Sequence, residues 1–77
     1  MVKEAFIANI ADIFEEVDSS TIDASTHFKD LDEWSSIIAL SIIAMVDEEY
    51  NVLLNGNDIR SSVTVEDLFN LVNSRKG

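Results

Sequence analysis

The chain has no proline, and only two glycines, Gly56 and Gly77, in 77 residues. Strand-and-turn architectures lean on both residue types to reverse direction, so this scarcity argues against a sheet-based fold. Apolar residues recur with helical spacing instead. Phe6, Ile10, Ile13, Phe14 and Val17 fall on one helical face, while Glu4, Asp12, Glu15 and Glu16 mostly occupy the other. This spacing predicts a first helix over Lys3–Val17.

A second helix is predicted over Ser36–Tyr50, with Ser35 as its N-cap. The run Ile37–Val46 is interrupted only by Ser41 and is apolar nearly all round, which suits a central helix with neighbours on several sides. Its length, its Ala and Met content and the Asp47-Glu48-Glu49 continuation favour helix over a buried strand. The run falls far short of the ~20 residues a membrane span needs. Between the two helices, Asp18–Ser35 is rich in Ser, Thr and Asp and reads as a long irregular loop. Ile22, Phe28, Leu31 and Trp34 are spaced along it to pin it to the helices. Asn55-Gly56-Asn57 reads as a turn, and Asp58-Ile59-Arg60 as a short third helix. In the last helix Thr64 is the N-cap, with Asp67 three residues on as in a capping box; Leu68, Leu71 and Val72 form its buried stripe, and Arg75 and Lys76 its basic end. The expectation is a single all-α domain over residues 1–77. It is a small bundle of three main helices plus one short helix, with a long loop after helix one.

Charge narrows the partners. Fifteen Asp and Glu stand against five Lys and Arg, for a net charge of -10. Five scattered bases cannot neutralise a run of phosphates, so nucleic acid is not an expected partner, and an anionic membrane surface is disfavoured by the same sign. Partners with basic patches are favoured. A hydrophobic content of 47% separates the chain from a disordered acidic tail. Cysteine is absent, so no thiolate can act as nucleophile or metal ligand. Met1 is followed by Val2, Lys3 and Glu4 rather than a basic stretch and an apolar run, so no secretory signal is expected and the chain reads as cytoplasmic.

Catalytic constellations are sparse. A Ser20, His27 and Asp23 triad can be drawn, but any Ser-rich acidic loop permits that, and His27 reads as a solvated side chain. A calcium loop begun at Asp30 has Ser35 in place of the sixth-position Gly and Ser41 in place of the twelfth-position Glu; one begun at Asn55 has Arg60 at its sixth position. No metal site is expected. There remains Asp30-Leu31-Asp32-Glu33-Trp34-Ser35-Ser36-Ile37, a serine pair opening an apolar helix. A phosphate ester on such a serine would sit in a favourable field from the helix N-terminus. No general base stands beside the pair, so either serine is better suited as the acceptor for another enzyme than as a nucleophile in its own right. On these local facts alone, capping of the helix is the simpler account of both serines.

Ser35-Ser36-Ile37 stands where acyl carrier proteins have an Asp-Ser-Leu motif opening the second helix. Ile43-Ala44-Met45-Val46-Asp47-Glu48-Glu49-Tyr50-Asn51-Val52 is similar to that helix's end, where acids precede an aromatic residue, and Thr64-Val65-Glu66-Asp67-Leu68 to the family's closing Thr-Val-x-Asp-Leu segment. Phe28 and Leu31 match its apolar loop pins. With size, acidity, helix order and long first loop, nearly the whole chain resembles acyl carrier proteins and related carrier domains. The resemblance implies an acyl-carrier-like bundle that is not an enzyme. A 4'-phosphopantetheine arm would be attached to Ser36, with Ser35 as the alternate, to hold acyl intermediates as thioesters and deliver them to fatty acid or polyketide-type enzymes. The implied partners are a phosphopantetheinyl transferase and acyl-processing enzymes whose basic patches meet Asp30, Asp32, Glu33, Asp47, Glu48 and Glu49 on a monomeric carrier.

Two departures stand out. The acid that usually precedes the modified serine, and that in the family helps recruit the transferase and its metal ion, is Ser35 here. The acids often found midway along the second helix are replaced by Ser41 and aliphatics. An interior including Ile42, Ile43, Val46, Ile59 and Leu68 is expected chiefly as core, and would have to part to shelter an acyl chain. The competing expectation is an unmodified acidic helical module that binds a basic protein partner. Either way the charge is localised: residues 12–58 hold twelve acids and one base, Lys29 (net -11), and the remainder three acids and four bases (net +1).

Overall fold

The computed structural model describes residues 2–76; Met1 and Gly77, the ends of the expected 1–77 domain, lie outside the described residues. The described residues form four α-helices and no strand: α1 (Lys3–Ile13), α2 (Ser36–Tyr50), α3 (Gly56–Ser61) and α4 (Val65–Lys76). α1 packs on α2 and α4, and α2 packs on α4. Phe6, Ile10, Phe28, Ile42, Val46, Val65, Leu68 and Val72 are fully buried among them. No helix among the described residues is long and apolar enough to cross a membrane.

α1 stops at Ile13 rather than at the expected Val17. The backbone becomes extended at Phe14 (φ -85°, ψ 99°). Phe14 is nonetheless buried and Val17 half-buried, so the apolar spacing continues through a bend and mimics another turn of helix. The N–H groups of Glu15 and Glu16 each donate to the Glu33 carboxylate at 2.9 Å. That carboxylate supplies the acceptors the helix would have offered.

The long loop is more regular than its composition suggests. It contains two short 3-10 turns, Ser19–Thr21 and Phe28–Asp30. Asp18 accepts from the Ser20 N–H and Asp23 from the Ser25 N–H, local bonds that fold Asp-rich chain into turns. Ile22 and Phe28 are buried, as expected of pins, and Leu31 and Trp34 are packed against the core. Phe28 and Trp34 meet edge to face with ring centroids 5.4 Å apart. The loop also docks through its backbone. Val65 N–H donates to the Thr26 carbonyl at 3.1 Å, and Glu66 N–H to the Ala24 carbonyl at 2.9 Å. Donors that the start of α4 would otherwise leave unpaired are thereby satisfied. The capping box expected there is present: Thr64 Oγ1 accepts from the Asp67 N–H, and the Asp67 carboxylate accepts from the Val63 and Thr64 N–H groups.

Asn55-Gly56-Asn57 is the start of α3 instead of a free-standing turn. Asn55 is the N-cap: its Oδ1 accepts from the Asp58 N–H at 2.9 Å, and the Asp58 carboxylate accepts in return from the Asn55 N–H at 3.0 Å. Asn55-Gly56-Asn57 has the composition of a turn, and that reading hid the Asn55–Asp58 box. α2 is capped just past its end by Asn51, whose φ of 57° lies in the left-handed region that Asn tolerates better than most residues.

Candidate functional site

The start of α2 treats its two serines differently. Ser35 has extended backbone (φ -157°, ψ 172°), its Oγ accepts from the Ile38 N–H at 3.3 Å, and its carbonyl accepts from the Ala39 N–H at 3.1 Å. It is the N-cap the sequence called for. Ser36, the first residue inside the helix, is exposed. Among the described residues its Oγ has no hydrogen-bond partner, and the N–H groups of Ser36 and Ile37 have no acceptor. An exposed, unpaired hydroxyl beside open helix N–H donors is a geometry that suits a phosphate ester, whose charge such donors favour.

One face of α2 is built into the core and one is not. Ile38, Ile42 and Val46 are buried. Ile37 is 72% exposed and Leu40 65%, and Ala44 is exposed as well. α2 has neighbours on more than one side, as expected, with α1 and α4 packed on it, but the continuous apolar run also hides an outward stripe. A run in which both faces are aliphatic carries no periodicity, so only the packing partners separate Ile38, Ile42 and Val46 from Ile37, Leu40 and Ala44.

Of the six acids expected to meet partners, Asp30, Asp32, Asp47, Glu48 and Glu49 are exposed. Asp30 lies 3.5 Å from His27 Nδ1. Glu33 is only half-exposed, and its two oxygens are held by the Glu15 and Glu16 N–H groups. It closes the neck of the long loop. The sequence offered no signal for this, because the partners are backbone groups at a distance along the chain.

Ser20, Asp23 and His27 are not assembled into a triad. Ser20 Oγ donates to Asp18 at 2.9 Å, Asp23 accepts from Ser25 Oγ at 2.8 Å, and His27 faces Asp30. The Ser25 hydroxyl and then the Ser25 N–H hold the Asp23 carboxyl below its usual range, which stabilises it as a turn-forming anion. Among the described residues no three His, Asp or Glu side chains are grouped to hold a metal ion. No cavity opens within them either, and Ile42, Val46, Ile59 and Leu68 pack as core.

No protein-family model matches the chain, and no curated protein or solved structure matches it significantly.

Proposed function

We propose that this chain is an acyl carrier protein: it presents Ser36 as the attachment point for a 4'-phosphopantetheine arm and delivers acyl groups between fatty acid or polyketide-type enzymes. The observation that carries this reading is the exposed Ser36 hydroxyl at the start of α2, free of hydrogen bonds among the described residues, next to a Ser35 hydroxyl engaged in capping. Bound there, the arm supplies a thiol that holds the acyl group as a thioester.

The chain's own residues do three things. Ser36 Oγ would attack the pantetheine-side phosphorus of coenzyme A, forming the phosphodiester to phosphopantetheine as the diphosphate P–O bond breaks and adenosine 3',5'-bisphosphate leaves, with the hydroxyl proton going to the modifying enzyme because no base on this chain stands beside it. The open N–H groups of Ser36 and Ile37 favour the resulting negative charge. Asp30, Asp32, Asp47, Glu48 and Glu49 attract Lys and Arg on partners and raise encounter rates, an effect that salt weakens. Glu33 is assigned to holding the loop rather than to partners.

The absence of cysteine gives a direct test. After incubation with coenzyme A and a promiscuous phosphopantetheinyl transferase, the full chain should react with one equivalent of a thiol-specific reagent, and Ser36→Ala with none. A wild-type chain that stays unreactive with several transferases rules the reading out. A second reading, an unmodified module binding a basic protein, is favoured by one residue, Ser35 in place of the acid that precedes the serine in carriers. It predicts partner capture that survives Ser36→Ala.

A further inference from the structure

Of the asparagines in the chain, only Asn55 precedes a glycine; the others precede Ile10, Val52, Asp58, Leu71 and Ser74. A main-chain nitrogen attacks the side-chain carbonyl of the preceding asparagine most readily when no Cβ obstructs the approach, a condition that only glycine meets. Asn55, Gly56 and Asn57 are exposed, so water reaches the pair. Among the described residues Asn55 Nδ2 and the Gly56 N–H have no hydrogen-bond partner. Neither the leaving amine nor the attacking nitrogen is held.

What is held is the geometry between them. Asn55 Oδ1 accepts from the Asp58 N–H at 2.9 Å, and the Asn55 N–H donates to Asp58 Oδ2 at 3.0 Å. The Asn55 carbonyl accepts from the Asp58 and Ile59 N–H groups at 3.1 and 3.3 Å. Asp58 is itself buried and gripped by Arg75. These bonds fix Asn55 at ψ 175°. Bringing the Gly56 nitrogen onto Asn55 Cγ rotates ψ and the side chain away from that arrangement and breaks the box. The end of a short helix opens locally at lower cost than the whole fold.

We infer that Asn55 is a site of spontaneous deamidation and that the α3 capping box is the latch that sets its rate. When the box opens, the Gly56 nitrogen gives up its proton to hydroxide and bonds to Asn55 Cγ. The Cγ–Nδ2 bond breaks, ammonia leaves, and a cyclic imide closes. Water then opens the imide at either carbonyl, leaving aspartate or isoaspartate at residue 55 with an added negative charge. Aspartate keeps a side-chain oxygen for the Asp58 N–H. Isoaspartate carries the main chain through Cγ and lengthens it by a methylene, so its N–H and carboxylate no longer match Asp58. The change is one-way, and it leaves the start of α3, with buried Ile59 behind it, without its cap. This chemistry is independent of the carrier reading.

The test ages the full chain at mildly alkaline pH. Isoaspartate is located by peptide mass mapping and counted by methyl transfer from S-adenosylmethionine with an isoaspartyl methyltransferase. Wild type should form it at residue 55 before any other asparagine, roughly tenfold or more slowly than the same chain unfolded in urea. In Gly56→Ala the new Cβ would lie 3.5 Å from an Arg60 guanidinium nitrogen, an ordinary contact, so this variant should fold like wild type and form almost none. Asp58→Asn replaces the charged acceptor of the box with a neutral one and should speed the reaction several-fold. Ser35→Ala, which weakens the cap of α2 instead, should leave the rate unchanged. A native chain that deamidates first at another asparagine, or not at all, would overturn the site. An Asp58→Asn rate equal to wild type, or an equal acceleration by Ser35→Ala, would overturn the latch.

Discussion

Arg75, near the end of α4, grips the buried carboxylate of Asp58 in α3 with both terminal nitrogens, at 2.6 and 2.8 Å. The contact clasps the short helix to the last one, and Asp58 also completes the α3 capping box. The Arg75 guanidinium and then the Asn55 N–H hold the Asp58 carboxyl below its ordinary range, against a desolvation that acts the other way. A carboxyl whose pKa is lower folded than unfolded stabilises the fold at all pH above the unfolded value of about 3.9, and loses that contribution as pH falls through the folded value. Thermal unfolding as a function of pH should therefore show stability falling steadily below about pH 4. Asp58→Asn should lower Tm at neutral pH by roughly 5 °C. It should also make the acid limb shallower, with Asp18, Asp23 and Asp67, lowered by their own hydrogen bonds, supplying the remaining slope.

The division of labour between the serines is separable by stability. Ser35→Ala removes the cap on the Ile38 N–H and should cost about 1 kcal/mol in urea unfolding. Ser36→Ala removes no hydrogen bond seen among the described residues and should leave the urea midpoint close to wild type. Ser35→Asp keeps a capping oxygen and adds a negative charge at the positive end of α2, for a gain of about 0.5 kcal/mol. It also restores the acid that carriers place before the serine, so it should raise kcat/KM for the transferase.

Phe28 carries the long loop. It is fully buried, with Trp34 against it edge to face. Phe28→Ala should destabilise the chain by about 3–5 kcal/mol. A domain this small has little more than that in total, so the variant should be largely unfolded near room temperature. Trp34 is the only tryptophan, so its emission reports loop docking directly and should shift to longer wavelength in the variant.

Glu33 offers a contrast with the exposed acids. Glu33→Ala should speed amide hydrogen exchange at Glu15 and Glu16, the two donors it holds, while leaving the transferase KM unchanged. A raised KM with unaltered exchange would return Glu33 to the docking acids.

Much of this was legible in the sequence because it is local. The caps at Ser35 and Thr64, the helical spacing of α4 and the apolar loop pins each depend on residues within a few positions, and they stand where the spacing put them. What was hidden depends on distant partners. The end of α1 is set by Glu33, so Phe14 and Val17 gave the right burial inside the wrong element. α3 begins earlier than expected because Asn55 and Asp58 cap each other, which the Asn-Gly-Asn composition masked as a turn. The outward stripe of α2 was invisible because both faces are aliphatic. Of the candidate site, the serine pair and five of the six acids are exposed, and Glu33 is half-exposed. Its two bonds to the Glu15 and Glu16 N–H groups were hidden, since an acid bonded to backbone looks the same in sequence as one left to solvent.

The central claim is that Ser36 accepts the arm. Intact mass after incubation with coenzyme A and a promiscuous phosphopantetheinyl transferase tests it most directly, with wild type, Ser35→Ala and Ser36→Ala treated in parallel. Wild type and Ser35→Ala should each gain the mass of one phosphopantetheinyl group, and Ser36→Ala none. No gain in the wild type across several transferases, or an undiminished gain in Ser36→Ala, would contradict it.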